Sequence, residues 1–451
     1  MSDNKKISGF SKLSKIGKIK WLVENFFREP DTVMRELMGY WHSNKAEQAI
    51  LDNFSENTIS NFYLPYSIAP NFVINRKTYC IPMVIEESSV VAAASSAAKF
   101  WMQRGGFKAK VENTLKIGQI HLSYEGPFSA VKSFFEENHE AVLKSCKSVT
   151  KNMEARGGGV RKVELLEFED EPGYCQIKMS FDTRESMGAN FINTVLETYA
   201  NALTSRYNKQ FTAGPALEVV MCILSNYTPE CLVTSEASCA INDLGEFVGG
   251  MTAQDFAKKF QQAVRIAEID PFRATTHNKG IYNGIDAVVL ATGNDFRAIE
   301  AAGHTYAARN GSYSSLSYCS IEDDQFRFGL KIPLALGTVG GLTKLHPMAR
   351  RSLELLENPD AEELMMIIAT VGLAQNFAAI RSLITTGIQK GHMKMHLSNV
   401  LNQLQATEKE FKMAMSHFSN KIVSFSAVRD YLEELRSGLI RQTSVVDNKN
   451  S

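Results

Sequence analysis

Apolar positions along the chain change their period several times, and the changes divide it. Across residues 10–62 they recur at helical spacing with few glycines, as in Trp21, Leu22, Phe26 and then Ala49, Ile50, Phe54, which predicts several short helices. Residues 72–85 switch to β-branched and aromatic types around an Asn75-Arg76 turn and read as strand. Residues 88–103 are dense in Ala and Ser and predict a closely packed helix, stopped at Arg104-Gly105-Gly106.

The next section alternates. Residues 115–124 read as strand, 128–149 as helix, 160–168 and 174–181 as strands, 187–207 as helix and 217–224 as strand. That order, βαββαβ, is a ferredoxin-like split βαβ unit. No GxGxxG follows a strand here, which separates it from a Rossmann unit, and Gly157-Gly158-Gly159 reads as a turn. Further on, 253–269 and 347–356 have helical spacing, the apolar run 287–292 reads as a buried strand ending near Asp295, and 296–308 reads as a helix. From Gly391 the chain turns charged and helical (Val400, Leu401, Leu404; Phe411, Met415, Phe418), then ends in a polar tail. The fold class expected is α+β. A large mixed α/β domain (1–112 and 227–390) is interrupted by the ferredoxin-like unit (113–226) and followed by a helical flap (391–451) hinged near Gly391.

Composition narrows the partners. At 451 residues the chain exceeds one ordinary core, and 49 basic against 49 acidic residues give no general attraction for nucleic acid or an anionic membrane. Seven cysteines, odd in number and without a CxxC pair, fit reduced thiols in a cytoplasmic protein better than a disulfide framework. The first twenty residues are polar and basic with no signal-peptide core, and the best apolar stretch considered, 84–98, carries Glu86 and Glu87, so no membrane span is expected.

Candidate chemistry concentrates in residues 270–295. Arg273, Lys279 and Asp295 stand there in a Gly/Asn-rich, weakly charged setting, with His277, Asn278 and Gly280 beside the lysine. A lysine in such a loop is ordinarily solvated. Held near a carboxylate and away from water, however, it stays charged and polarises an oxygen strongly. Glu87 belongs to an acidic pair in an apolar stretch, either a solvated strand end or a functional carboxylate. Asp295 is placed to N-cap the helix after it. His392 and His396 share a helix face at i, i+4 spacing, but without the HExxH glutamate they predict no metal site.

These segments resemble 3-hydroxy-3-methylglutaryl-coenzyme A reductase, in particular its soluble class II, prokaryotic-type branch. Residues 55–100 look like the family's dimer-helix and catalytic-glutamate region. DTRESMGAN (182–190) looks like its nicotinamide-cofactor motif. HNKG at Lys279, ILSN ending at Asn226, GTVGG (337–341), VGLAQNFAAIRSL (371–383) and GHMKMH (391–396) also match, so that similarity runs from about residue 55 to 396. The chain departs from the family pattern at Ser60 for glycine, Ser88 for proline, and Glu185-Ser186 for Asp-Ala.

The resemblance implies reduction of HMG-CoA to mevalonate with release of coenzyme A. It assigns catalysis to Glu87, Lys279, Asp295 and His392, with Asp295 bridging the lysine and the glutamate and His392 protonating the departing thiolate. Ser89, Arg273 and Asn283 are implied as substrate contacts, and Glu185, Met187, Gly188, Asn190 and Asn226 as cofactor contacts. It further implies a homodimer or higher homo-oligomer whose active sites are shared between subunits. Lys144, Lys147 and Lys151, with no acidic residue between 141 and 152, favour the 2′-phosphate of NADPH, with NADH as the alternative. Two other readings stay open at this stage: a mevalonate dehydrogenase working in catabolism, and a catalytically silent coenzyme A-binding oligomer.

Overall fold

The structure is a computed structural model that describes residues 5–212, 214, 216–247, 250–385, 397–398, 400–418, 421 and 423–437, the side chain of Ser88 excepted. Gly391, His392 and His396, and with them the proposed hinge, lie outside the described residues.

Helices α1 (Lys15–Phe26), α2 (Pro30–Gly39) and α3 (Lys45–Asp52) precede an antiparallel hairpin of β1 (Tyr66–Ile74) and β2 (Lys77–Val84). Asn75 and Arg76 both take positive φ (50° and 71°) in the two-residue turn, the backbone twist a tight hairpin favours. Helix α4 (Ser88–Met102) turns Val90, Ala94, Ala97, Ala98 and Trp101 fully inward. Its small side chains let it lie close to β1, and the strand β3 (Lys108–Val111) follows.

The chain then forms β4 (Lys116–Ser123), α5 (Phe128–Ser145), α6 (Lys147–Glu154), β5 (Gly159–Glu167), β6 (Tyr174–Asp182), α7 (Ala189–Gln210) and β7 (Glu218–Ser225). The sheet order is β5-β6-β4-β7 and its pairings are all antiparallel, the arrangement of a split βαβ unit. The single helix expected over 128–149 is instead two, breaking at Cys146. Val142, Cys146, Thr150 and Met153 all point inward, so the apolar period runs through the break and conceals it.

The larger core surrounds the sheet β3-β8-β10-β9, with β8 at Leu232–Ala240. After β8 come α8 (Ala253–Ile269), α9 (Pro271–Ala291), α10 (Phe296–Ala307), β9 (Ser317–Glu322), β10 (Gln325–Pro333), α11 (Gly341–Leu345), α12 (Pro347–Leu355) and α13 (Ala361–Ile384). Trp101, Phe260, Phe326 and Phe377 meet at its centre. A third, separate apolar cluster joins Leu397 and Leu401 to α14 (Glu408–His417) and α15 (Phe425–Arg436).

Two expectations are corrected here. Residues 287–292 are not a strand: 287–291 end the 21-residue helix α9 and Thr292 is its C-cap, so Lys279 stands on a helix and not in a loop. A helix buried on most sides presents the same short apolar run as a buried strand, and period alone does not separate them. The most apolar long segment is α13 and not 84–98. Among the described residues α13 alone is long and apolar enough to cross a bilayer, but 83% of its most apolar window is buried within the core.

Helices α9 and α13 are drawn together by two glycines. A Cβ on Gly284 would come within 2.8 Å of the Val371 carbonyl oxygen, and one on Gly372 within 2.8 Å of Ile285. Gly284→Val should therefore lower stability by about 1–3 kcal/mol through overpacking. Gly280→Ala, whose added methyl meets nothing, should leave stability unchanged or raise it by less than about 1 kcal/mol. Guanidinium unfolding of the two variants checks the contrast.

Candidate active site

Three loops converge where the four-stranded β4–β7 unit meets the larger core. The first runs from the end of β6 to the start of α7. Lys116 of β4, buried beneath it, donates to Thr183 Oγ1 at 2.6 Å and to the Ser186 carbonyl at 3.1 Å. Burial pulls the Lys116 ammonium below its ordinary pKa, while Asp182 and Glu185 oppose that effect. Gly188 closes the loop at φ 91° as the N-cap of α7, pressed against Thr183 so that a Cβ would collide.

The second and third loops are tied to the first by hydrogen bonds. The Glu185 carbonyl accepts from the Thr338 N–H at 2.8 Å, and its carboxylate accepts from the Ala361 N–H at 2.7 Å, the first residue of α13. Asn294 Oδ1 accepts from the Gly337 N–H at 2.9 Å. Gly337 has no room for a side chain, since a Cβ would stand 2.6 Å from the Met187 nitrogen. Between these loops opens a cavity of ≈ 750 Å³ whose lining includes Met187, Gly188, Asn190, Asp295, Val339 and Gly340. The start of α7 lines this cavity together with Gly340, Gly341 and Arg297 and with the apolar Phe191, Leu290 and Phe296, and its free N–H groups suit a phosphate-bearing ligand.

Asp295 caps α10, accepting from the N–H groups of Arg297 (3.1 Å) and Ala298 (3.4 Å), and it pairs with the Arg297 guanidinium at 3.0 Å. Burial alone would raise its pKa. The Arg297 and Ala298 hydrogen bonds outweigh that, and the carboxyl sits below the ordinary range.

Arg273, Lys279 and Asn283 all belong to α9. Its outward stripe runs Phe272, Thr276, Lys279, Asn283, Asp286, Leu290, at alternating steps of four and three residues. Lys279 is exposed, and it has no hydrogen bond or ion pair among the described residues. Arg273 is half-buried and also unpaired, and burial lowers its pKa. Glu87 occupies the N-cap position of α4 and accepts a hydrogen bond from the Ser89 hydroxyl. Within one chain neither Glu87 nor Asp295 is paired with Lys279. Asn226 is exposed beyond β7 and does not line the cavity, and Glu185 turns its carboxylate to α13.

The lysines of α5 and α6 are partly compensated. Lys144 and Lys147 line a smaller cavity of ≈ 410 Å³ with Arg161 and Lys162, yet Lys147 is ion-paired to Glu154 and Lys151 lies outside the lining. Lys116 and the buried chain His277–Ser317–Asn376 were not legible in the sequence. His277 Nε2 meets Ser317 Oγ at 2.6 Å, and Ser317 donates to Asn376 at 2.8 Å. Burial, with Arg273 nearby, drives the His277 pKa down to about 3, so it is neutral at physiological pH. Only the polar residues within the apolar run of α13 hinted at such a network.

The family model described as hydroxymethylglutaryl-coenzyme A reductase matches residues 24–397. The 3-hydroxy-3-methylglutaryl-coenzyme A reductase of Archaeoglobus fulgidus is 36% identical over 438 residues, covering 96% of this chain and 95% of that protein. A 3-hydroxy-3-methylglutaryl-coenzyme A reductase structure from Streptococcus pneumoniae is 34% identical with a TM-score of 0.70, covering 97% of this chain and 100% of that one. A class II structure from the same organism, bound to NADPH in open conformations, is 34% identical with a TM-score of 0.69 over 91% and 99% of the two chains.

Removing the buried anchor of the first loop should be costly. Lys116→Ala leaves Thr183 Oγ1 and the Ser186 carbonyl without that donor and should destabilise the protein by about 1–3 kcal/mol. Hydrogen exchange should show lost protection confined to the start of α7 and the loop before it.

Proposed function

The chain belongs to the hydroxymethylglutaryl-coenzyme A reductase family, and on that premise we propose how its own side chains carry the reaction. As a member it is an oxidoreductase that reduces the thioester of HMG-CoA to mevalonate and releases coenzyme A, with NADPH as reductant. Neither the catabolic direction nor a silent scaffold is favoured by these relationships.

The observation that carries the proposal is the single cavity lined by both Asp295 and the Met187-Gly188-Asn190 segment. NADPH held there supplies hydride, two equivalents for each thioester taken to the alcohol. The turn at Gly188 and the N–H groups opening α7 would hold its pyrophosphate. Lys279 stabilises the negative oxygen that develops on the thioester carbonyl, and Asn283, one turn on, holds the same oxygen region. Arg273, unpaired and preorganised by burial, clamps the substrate's free carboxylate. Glu87, oriented by Ser89, delivers a proton to the alkoxide, and His392 protonates the thiolate leaving group. Glu185 acts through the loop it pins, and Asn226 contributes from the rim.

We infer further that the site is completed by a second copy of the chain. Among the described residues of their own subunit Lys279 and Glu87 have no charged partner, and the outward stripe of α9 continues into the exposed Phe272 and Ile269. A homo-oligomer bringing Glu87 of one subunit to Lys279 of another explains both facts. Residues 113–226 then form the cofactor domain, 1–112 with 227–390 the substrate domain and 391–451 the flap, in a cytoplasmic enzyme.

Glu87→Gln and Lys279→Ala should each lower kcat by at least about a hundredfold. Mixed in equal amounts after dissociation and reassociation, they should recover about a quarter of the wild-type activity, because half the dimers are mixed and each mixed dimer has one intact site of two. Failure of the mixture to recover activity argues for sites within one subunit. Initial rates should be higher with NADPH than with NADH, and Lys144→Ala with Lys147→Ala should raise the KM for NADPH by about tenfold while sparing NADH.

A further inference from the structure

Asp286 stands outside every step above, yet it lies on the same stripe of α9 as Lys279 and Asn283, two turns beyond the lysine. Tyr282 of α9 is pressed against Gly303 of α10, and one turn on from that contact along α9 Asp286 comes level with Glu300, one turn back along α10, so that the two carboxyls interact. Two carboxylates side by side out of water repel unless a proton lies between them. No cation relieves the pair, since neither side chain is in an ion pair among the described residues. Glu300 from α10 and Tyr282 from α9 interact with it, and Tyr282 in turn packs on His304 of α10 and interacts with Tyr313 from the segment before β9.

The pair is half-buried and its surroundings are under-satisfied. One Asp286 oxygen is buried without a hydrogen-bond partner, and so is the Tyr282 hydroxyl. Tyr282 is pressed against Gly303 of α10, where any Cβ would collide with its hydroxyl. His304 is occupied, with Nδ1 2.7 Å from the Tyr313 hydroxyl. Burial first, and then Glu300, push the Asp286 carboxyl far above the ordinary carboxylate range.

We propose that Asp286 and Glu300 share one proton, and that this proton clamps α9 to α10 so that Lys279 and Asp295 keep their spacing through turnover. Asp286 is thus a positioning residue, and its kinetic consequence rests on the assignment of Lys279 and Asp295 above. The sign of the pH effect follows from linkage. A carboxyl that holds its proton more tightly folded than unfolded contributes stability that is complete below the ordinary carboxylate range and is lost as pH rises from there through its folded pKa. Deprotonation leaves two like charges between the helices and forces them apart.

The test compares wild type with Asp286→Asn, and with Glu300→Gln, which supplies a neutral donor from the opposite side, all as the full-length assembled protein. Melting temperatures are taken at about pH 5 and about pH 9, and kcat is followed across the same range with NADPH and HMG-CoA. The variants should melt above wild type at the higher pH, with the gap wider than at the lower pH by at least about 3 °C. The kcat of at least one variant, taken as a ratio to wild type at the same pH, should rise about fivefold from about pH 7 to about pH 9, any loss at the reaction's own proton donors being common to both. A gap that does not change with pH overturns the shared proton. Alkaline limbs that superimpose overturn the positioning role. A wild-type protein without turnover would refute the functional reading, while the melts would still decide whether the proton is shared.

Discussion

Everything chemical in this protein depends on how α9 is held. Gly284 and Gly372 allow its backbone to approach α13 to a distance that side chains would forbid, and the His277–Ser317–Asn376 chain fixes its rotation in the same interface. A neutral histidine suits that position, because a charged one would have to be buried beside Arg273. With rotation fixed, one narrow stripe of the helix reaches the outside. Lys279 and Asn283 are therefore presented on that stripe, with the half-buried Arg273 on the same helix, by a rigid element and not by a mobile loop, which limits the reorganisation needed when charge develops on a substrate.

The cavity beside α10 is built on a different principle. Its walls are loops, which would ordinarily be soft, but each is tied by hydrogen bonds to another segment. Glu185 reaches from the β6–α7 loop to the first N–H of α13, Asn294 reaches to Gly337, and Lys116 supports the loop from beneath. The two halves of the molecule are joined through this set, so the segment expected to bind NADPH and the helix capped by Asp295 share a common frame. The apolar cluster around α14 and α15 has no part in that frame and forms a small core of its own.

Where the pattern of residues misled, the reason was physical. The run 287–292 is apolar because α9 is enclosed by α13, α8 and the β1–β2 hairpin on all but one stripe, which in this last part carries Leu290, so no polar face announces its period. The break at Cys146 left no mark because both pieces bury the same side. The N-cap role of Asp295, by contrast, followed directly from a polar residue ahead of a helical pattern, and the structure bears it out.

Local alternation, turn chemistry and motif order were enough to determine the βαββαβ unit, the Asn75-Arg76 hairpin, the stop of α4 and the family itself, because each depends on residues close together in the chain. What only the tertiary structure decided was which polar groups meet across it. Lys116 under the 183–188 loop, Glu185 on α13, His277 with Asn376, and Asp286 against Glu300 join residues as many as 176 positions apart. No period or propensity encodes such pairings. They arise when apolar packing brings two surfaces together and leaves polar atoms that water can no longer reach, and each must then find its partner in the fold.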